Sequence, residues 1–102
     1  MIRITEVRVH LRDDDALRGL ASITLEGCFV VKGIKIIEDR EGRLFVAMPN
    51  RRKGDGSWQD VAHPITPAFR KQVEQAVLGE YNRVLAASSR GRPASPAGPD
   101  DG

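Results

Sequence analysis

The stretch RGLASITLEGCFVVKGIKIIE, residues 18–38, decides the fold. Ala21, Ile23 and Leu25 alternate with Leu20, Ser22 and Thr24, the period-2 pattern of a half-buried strand running from about Arg18 to Glu26. Gly27-Cys28 reads as a tight connection into a longer strand, Phe29 to Ile37. Within that strand Phe29 and Val31 share one parity, whereas Ile34 and Ile36 share the other. A β-bulge at Lys32-Gly33 puts all four on one face, because one extra residue resets the alternation. Val30 and Ile37 then fall on the opposite face, so the strand is apolar on both sides.

The same reasoning extends outward. Residues 2–11 read as a strand in which Ile2 and Ile4 change parity to Val7, Val9 and Leu11, which places a bulge near Thr5-Glu6. An acidic turn, Asp13-Asp14-Asp15, follows it. Downstream, the turn Asp39–Gly42 leads to a fourth strand, Leu44–Met48, then a loop, Pro49–Gly56, and a short fifth strand around Trp58–Val61. Thr66 is placed to cap a helix whose first residue is Pro67, where the missing N–H costs nothing. Phe69, Val73, Ala76, Val77, Tyr81 and Val84 then recur at helical spacing to about Ala86. Residues 87–102 are Ser-, Gly-, Pro- and Ala-rich and bury too little to offset the entropy of ordering, so they read as a disordered tail.

The expected fold is therefore α+β: an antiparallel β-meander of about five strands with one C-terminal α-helix packed on the sheet, the domain occupying residues 1–86. One helix covers one face of a sheet, so the two-sided third strand asks for a second cover, and a homodimer supplies it. Leu78 and Leu85, read as projecting from the side opposite the main stripe, fit that expectation. Glu80 sits within the stripe and needs a partner such as an arginine if buried.

Composition narrows the function. The chain has 102 residues, 29% charged and 40% hydrophobic, enough for one modest core. No apolar run approaches a membrane span and no signal-peptide pattern opens the sequence, so the expectation is a cytoplasmic protein without a membrane partner. Cys28 is the only cysteine, which excludes intrachain disulfides and cysteine-based zinc sites. With two histidines and no P-loop, nucleophile elbow or paired-histidine motif, no catalytic residue, metal site or cofactor is indicated. Asp13–Asp15 lacks the alternating spacing of a calcium loop. The net charge of +2 proves no polyanion partner; clustering matters more.

Arg51-Arg52-Lys53 is the densest basic cluster, able to neutralise phosphates from a Gly-rich loop or simply to keep a hairpin tip solvated. Arg70 and Lys71 could join it from the helix N-terminus, whose amides favour anions, while Arg83 points elsewhere on the helix. Arg90-Gly91-Arg92-Pro93 spells the core of a minor-groove hook and makes Arg90 and Arg92 an auxiliary contact. Trp58 could stack on an unpaired base, but anchoring a short edge strand is the reading the residues favour. His63, extended before Pro64, orders the strand-to-helix corner.

Three blocks carry a family resemblance: ITEVRVHL with RGLASITLEGCFVVKGIKIIE, then LFVAMPNRRKGDGSWQDVAHPIT, then FRKQVEQAVLGEYNRVL. Together they resemble the stage V sporulation protein G (SpoVG) family, with Gly54, Trp58 and Gln59 standing where proline, phenylalanine and a basic residue are common. The resemblance implies a homodimer that binds DNA, and in some members RNA, to modulate gene expression in sporulation, septation or related development. It also implies contacts from Arg51, Arg52, Lys53, Arg70 and Lys71. The competing expectation is a protein-interaction adaptor that uses a sheet edge or the helix back.

Overall fold

The computed structural model describes residues 2–89. Four strands form one antiparallel sheet in sequence order: β1 (Ile4–Asp14), β2 (Leu17–Leu25), β3 (Phe29–Glu38) and β4 (Leu44–Ala47). Two short strands, β5 (Asn50–Arg52) and β6 (Trp58–Asp60), pair only with each other, and α1 (Pro67–Ser89) closes the domain. The α+β meander and its single helix are thus as expected, except that the fifth strand leaves the main sheet. It joins a strand inside what reads as the loop Pro49–Gly56. The Arg90–Pro93 motif and the tail from 90 onward lie outside the described residues.

Both expected bulges are present. The β1–β2 register slips between Ile4 and Glu6, which carries Ile4, Val7, Val9 and Leu11 together onto the core. In β3, Ala21 pairs with Ile34 and Ile23 with Val31, so Lys32 and Gly33 stand opposite Ser22 alone. Gly33 has φ +83°, left-handed backbone that a β-carbon would strain. Ile34 and Ile36 are consequently fully buried, with Ala21, Ile23, Val46 and Met48 around them.

The turns differ in detail from the sequence reading. Strand β1 runs through Asp14, so the first turn is Asp15-Ala16, with Asp15 at φ 51°. Asp13 and Asp14 are ion-paired to Arg18 and Arg12 at 2.9 and 2.8 Å, which is why two consecutive acids are tolerated in a strand. Cys28 lies exposed in the β2–β3 turn.

Helix α1 begins as its sequence dictates: the Phe69 amide donates to Thr66 Oγ1 at 3.2 Å and the Arg70 amide to the Thr66 carbonyl at 3.0 Å. Val73, Val77 and Tyr81 are buried against the sheet. Tyr81 comes down over Gly19, where an added β-carbon would sit 3.3 Å from the His10 carbonyl oxygen and 3.6 Å from the tyrosine ring. Leu78, however, packs against the core and does not face away from it, because the helix leans toward β1 and buries a stripe wider than the heptad pattern suggests. Leu85 lines a shallow cavity with Leu11 and Tyr81. Of the two leucines, Leu78 is thus drawn onto the core, whereas Leu85 stays 42% exposed.

Replacing Ile36 by Ala should cost about 3 kcal/mol of unfolding free energy, since it empties a fully buried site between sheet and helix. Urea unfolding should show a lower midpoint at an unchanged slope.

Candidate nucleic-acid interface

The β5–β6 ribbon is an ordered hairpin, not the loose loop the glycines suggest. The Lys53 amide donates to the Ser57 carbonyl at 2.7 Å and the Gly56 amide to the Lys53 carbonyl at 3.0 Å. At the tip, Ser57 donates from its amide and its hydroxyl to Asp55 Oδ1 at 2.9 and 2.6 Å. Those hydrogen bonds hold the Asp55 carboxyl below the usual carboxylate range. Gly56 takes φ +90° to close the turn. At the base, the Val61 amide donates to the Pro49 carbonyl at 2.8 Å.

This hairpin divides the basic triad. Arg52 pairs across the ribbon with Trp58, and Arg51 with Gln59, so the two arginines face opposite sides, with Lys53 entering the turn. On the Arg52 side, the Arg52 guanidinium and the Lys35 ammonium of β3 each lie 5.9 Å from the Trp58 ring centroid. Trp58 is 60% exposed, so it anchors no core; it is a surface aromatic with two cations near its ring. The missed member is Lys35, whose approach depends on how the ribbon folds over the sheet and leaves no trace in local sequence. Asp55 and Asp60 share the ribbon and offset part of its charge.

Ion pairing separates the cations into two sets. Arg3, Arg8, Arg12, Arg18, Arg43 and Arg83 are each paired to a carboxylate. Arg18 is the most committed, with Glu38 at 2.7 Å and Asp13 at 2.9 Å, and these partners raise its already high pKa. Among the described residues, Arg51, Arg52, Lys53, Arg70, Lys71, Lys32, Lys35 and Arg40 have no ion pair. All five candidates from the sequence are thus available charges. Arg70 and Lys71 lie exposed in the first turn of α1, which packs on β1, β2 and β4, and neither is hydrogen-bonded to the ribbon. Arg83 drops out: its guanidinium donates to both oxygens of Glu80, at 3.0 and 2.5 Å, meeting that acid's need for an arginine.

His63 is exposed, its Nδ1 3.0 Å from the Pro64 carbonyl, consistent with a corner residue. Among the described residues no group of three or more His, Cys, Asp or Glu side chains could hold a metal ion, and no helix is long and apolar enough to cross a membrane.

A four-stranded meander backed by one helix, with a two-stranded cationic ribbon inserted between them in the sequence, defines a small α+β domain. The SpoVG family model matches residues 2–83, and the chain belongs to that family. It is 41% identical over 92 residues to a protein of Anaeromyxobacter sp. (strain Fw109-5), covering 90% of this chain and 94% of the relative. A Myxococcus xanthus protein is 40% identical over 90 residues, covering 88% and 90%, and one from Acholeplasma laidlawii 43% over 89, covering 86% and 94%. Each of the three is named as a septation protein, SpoVG.

The Glu80–Arg83 pair gives a pH signature. The hydrogen bond from Arg83 lowers the Glu80 pKa below its ordinary 4.5, against the opposing effect of burial. Its stabilisation is therefore present above the ordinary value and lost as pH falls through the depressed one. Urea midpoints of the wild type and Arg83→Ala should differ at neutral pH and converge in acid.

Proposed function

We propose that this protein is a nucleic-acid-binding regulator, acting as a cytoplasmic homodimer on DNA and RNA in septation, sporulation or related development. The observation that carries the reading is the sorting of its cations. Six arginines are neutralised by local acids, whereas those of the ribbon, the neighbouring sheet face and the helix start are left open. Unpaired surface cations are what a phosphate backbone engages, with release of its counterions. Arg51, Arg52 and Lys53 contact phosphates, and Arg70 and Lys71 add charge where helix amides already favour anions. Such contacts position more than they specify, so sequence preference is modest. Arg90 and Arg92 extend the contact into the minor groove. The relatives' shared name supports the developmental setting.

The dimer belongs at the open end between sheet and helix. Ile2, Phe29, Val31, Ile65 and Phe69 line an apolar groove of about 300 Å³ there, with Ile65 87% and Phe29 64% exposed. Residues 90–102 offer only alanine and proline as apolar side chains, too little to fill it. A second copy of this chain fills it, and it doubles the number of ribbons, which strengthens binding through effective concentration.

Two outcomes are expected. Replacing Arg51, Arg52 and Lys53 by Ala should weaken duplex binding across all sequences and reduce the salt slope by up to about 3, roughly one per lost phosphate contact, in fluorescence anisotropy across a salt series. An unchanged slope removes the ribbon from the interface. Second, Phe29→Glu with Ile65→Glu should convert dimer to monomer in analytical ultracentrifugation at micromolar concentration. Neither side chain is buried in the core, so the fold should persist.

A further inference from the structure

We infer that the outer face of the sheet, where it meets the ribbon, is a stacking site for single-stranded nucleic acid, with Trp58 as its platform. This rests on the nucleic-acid reading and names a ligand for one side of the interface.

Trp58 is the largest apolar side chain in the protein, yet it stays 60% exposed instead of entering the core. Its two cationic neighbours stand over the ring at 5.9 Å from its centroid, the outer limit of a cation–π contact, and the residue remains largely open to solvent. A second aromatic shares this side. Val46 points into the core, so Phe45 points out, and it is 45% exposed. Lys35 lies across the ladder from Ala47, two residues along β4 from Phe45, and therefore stands beside both rings. Farther across the same face, Lys35 pairs with Leu20, which lines a shallow cavity of about 490 Å³ together with Lys32, His10 and Arg8. The bulge at Lys32-Gly33 helps to open that cavity. Glu6, the one carboxylate lining it, is tied to Arg8 at 2.8 Å.

Exposed aromatics interleaved with unpaired cations are what a single strand requires. Its bases have free faces to lay on a ring, and its phosphates need charge at intervals alongside. A duplex offers neither indole nor phenyl a free base face, because its bases are stacked on one another. Duplex contacts therefore fall to the ribbon's Arg51, Arg52 and Lys53 and to the helix start, while Lys35 and Lys32, together with Arg52, hold the phosphates of an unpaired strand whose bases meet Trp58 and Phe45.

Trp58 is the only tryptophan, so its fluorescence reports the contact directly. The full chain is titrated with single-stranded RNA and DNA of about twelve nucleotides, within the footprint of known single-strand binders. Parallel titrations use an abasic deoxyribose-phosphate strand of equal length and a duplex of the same sequence. Strands carrying bases should quench Trp58, whereas the abasic strand should neither quench nor bind within about tenfold of them. The RNA and DNA arms show which sugar the site accepts, and quenching by either supports it. Trp58→Ala should lose about tenfold or more of single-strand affinity, the worth of one stacked base, and change duplex affinity far less. Trp58→Phe should recover most of that loss, and Phe45→Ala should weaken single strands selectively. Circular dichroism checks that each variant is folded. Equal binding of abasic and base-carrying strands without quenching overturns the stacking site and leaves the phosphate reading standing. Failure of every nucleic acid to bind at low salt overturns both.

Discussion

Gly33 sits at φ +83° opposite a single residue of the neighbouring strand, and the positions of most other side chains follow from that. A strand alternates strictly, so without an extra residue at Lys32-Gly33 either the Phe29–Val31 half or the Ile34–Ile36 half of β3 would face away from the helix. With it, two fully buried isoleucines stand against Val73 and Val77, and Val31 stays on the same face. The bulge acts on the opposite face as well. It keeps Lys32 and Lys35 on the solvent side and leaves the concavity lined by Leu20 and Val30 between the strands. One backbone irregularity thus sets both the core and the surface on which the proposed ligand would lie.

Charge is distributed by a comparable division. Strands β1 and β2 carry arginines, but each has a carboxylate within reach: Arg8 with Glu6, Arg12 with Asp14, Arg18 with Glu38 and Asp13. Exposed pairs of this kind contribute little stability, about 0 to 1 kcal/mol each. Their larger consequence is electrostatic: they cancel the field over that part of the surface. On the ribbon, Asp55 and Asp60 offset part of the charge of Arg51, Arg52 and Lys53 but form no ion pair with them, since Asp55 is hydrogen-bonded by Ser57 at the tip and Asp60 lies at the base opposite Asn50. A modest net charge of +2 is therefore compatible with a locally cationic site.

Much of this was legible in the sequence, and the misses have definite physical reasons. Parity changes at Thr5-Glu6 and Lys32-Gly33 reveal bulges because apolar residues on both sides record the face. Thr66-Pro67 reveals the helix start because capping is local chemistry. The β5–β6 ribbon was hidden because Asn-Arg-Arg and Trp-Gln-Asp bury nothing and carry no alternation; the hairpin is held by backbone pairing and by the Asp55–Ser57 tip. Leu78 was misplaced because a helical wheel gives angles, whereas the lean of α1 toward β1 sets how wide a stripe is covered. Among site residues, Arg51, Arg52 and Lys53 could be found as a run, but the alternation that sends Arg51 and Arg52 to opposite sides required the ribbon. Lys35 beside Trp58 is a tertiary contact between segments more than twenty residues apart, and no local pattern encodes it.

The two uncovered regions differ in kind, which bears on how they can be used together. The groove at Ile2, Phe29 and Ile65 is almost wholly apolar, and burial against a like surface is the only gain open to it. The outer sheet face mixes aromatic rings with ammonium and guanidinium groups, so covering it with another apolar surface would strand charges without partners. On the proposed reading, a partner copy belongs in the groove and a polyanion on the sheet. The two sites lie on opposite faces of the same sheet, because Val31 and Phe29 point to the helix side while Lys35 and Phe45 point away from it. Dimerisation through the groove would then leave both outer faces free, each with its own ribbon. A strand of nucleic acid could meet one such face without displacing the partner, so assembly and binding need not compete.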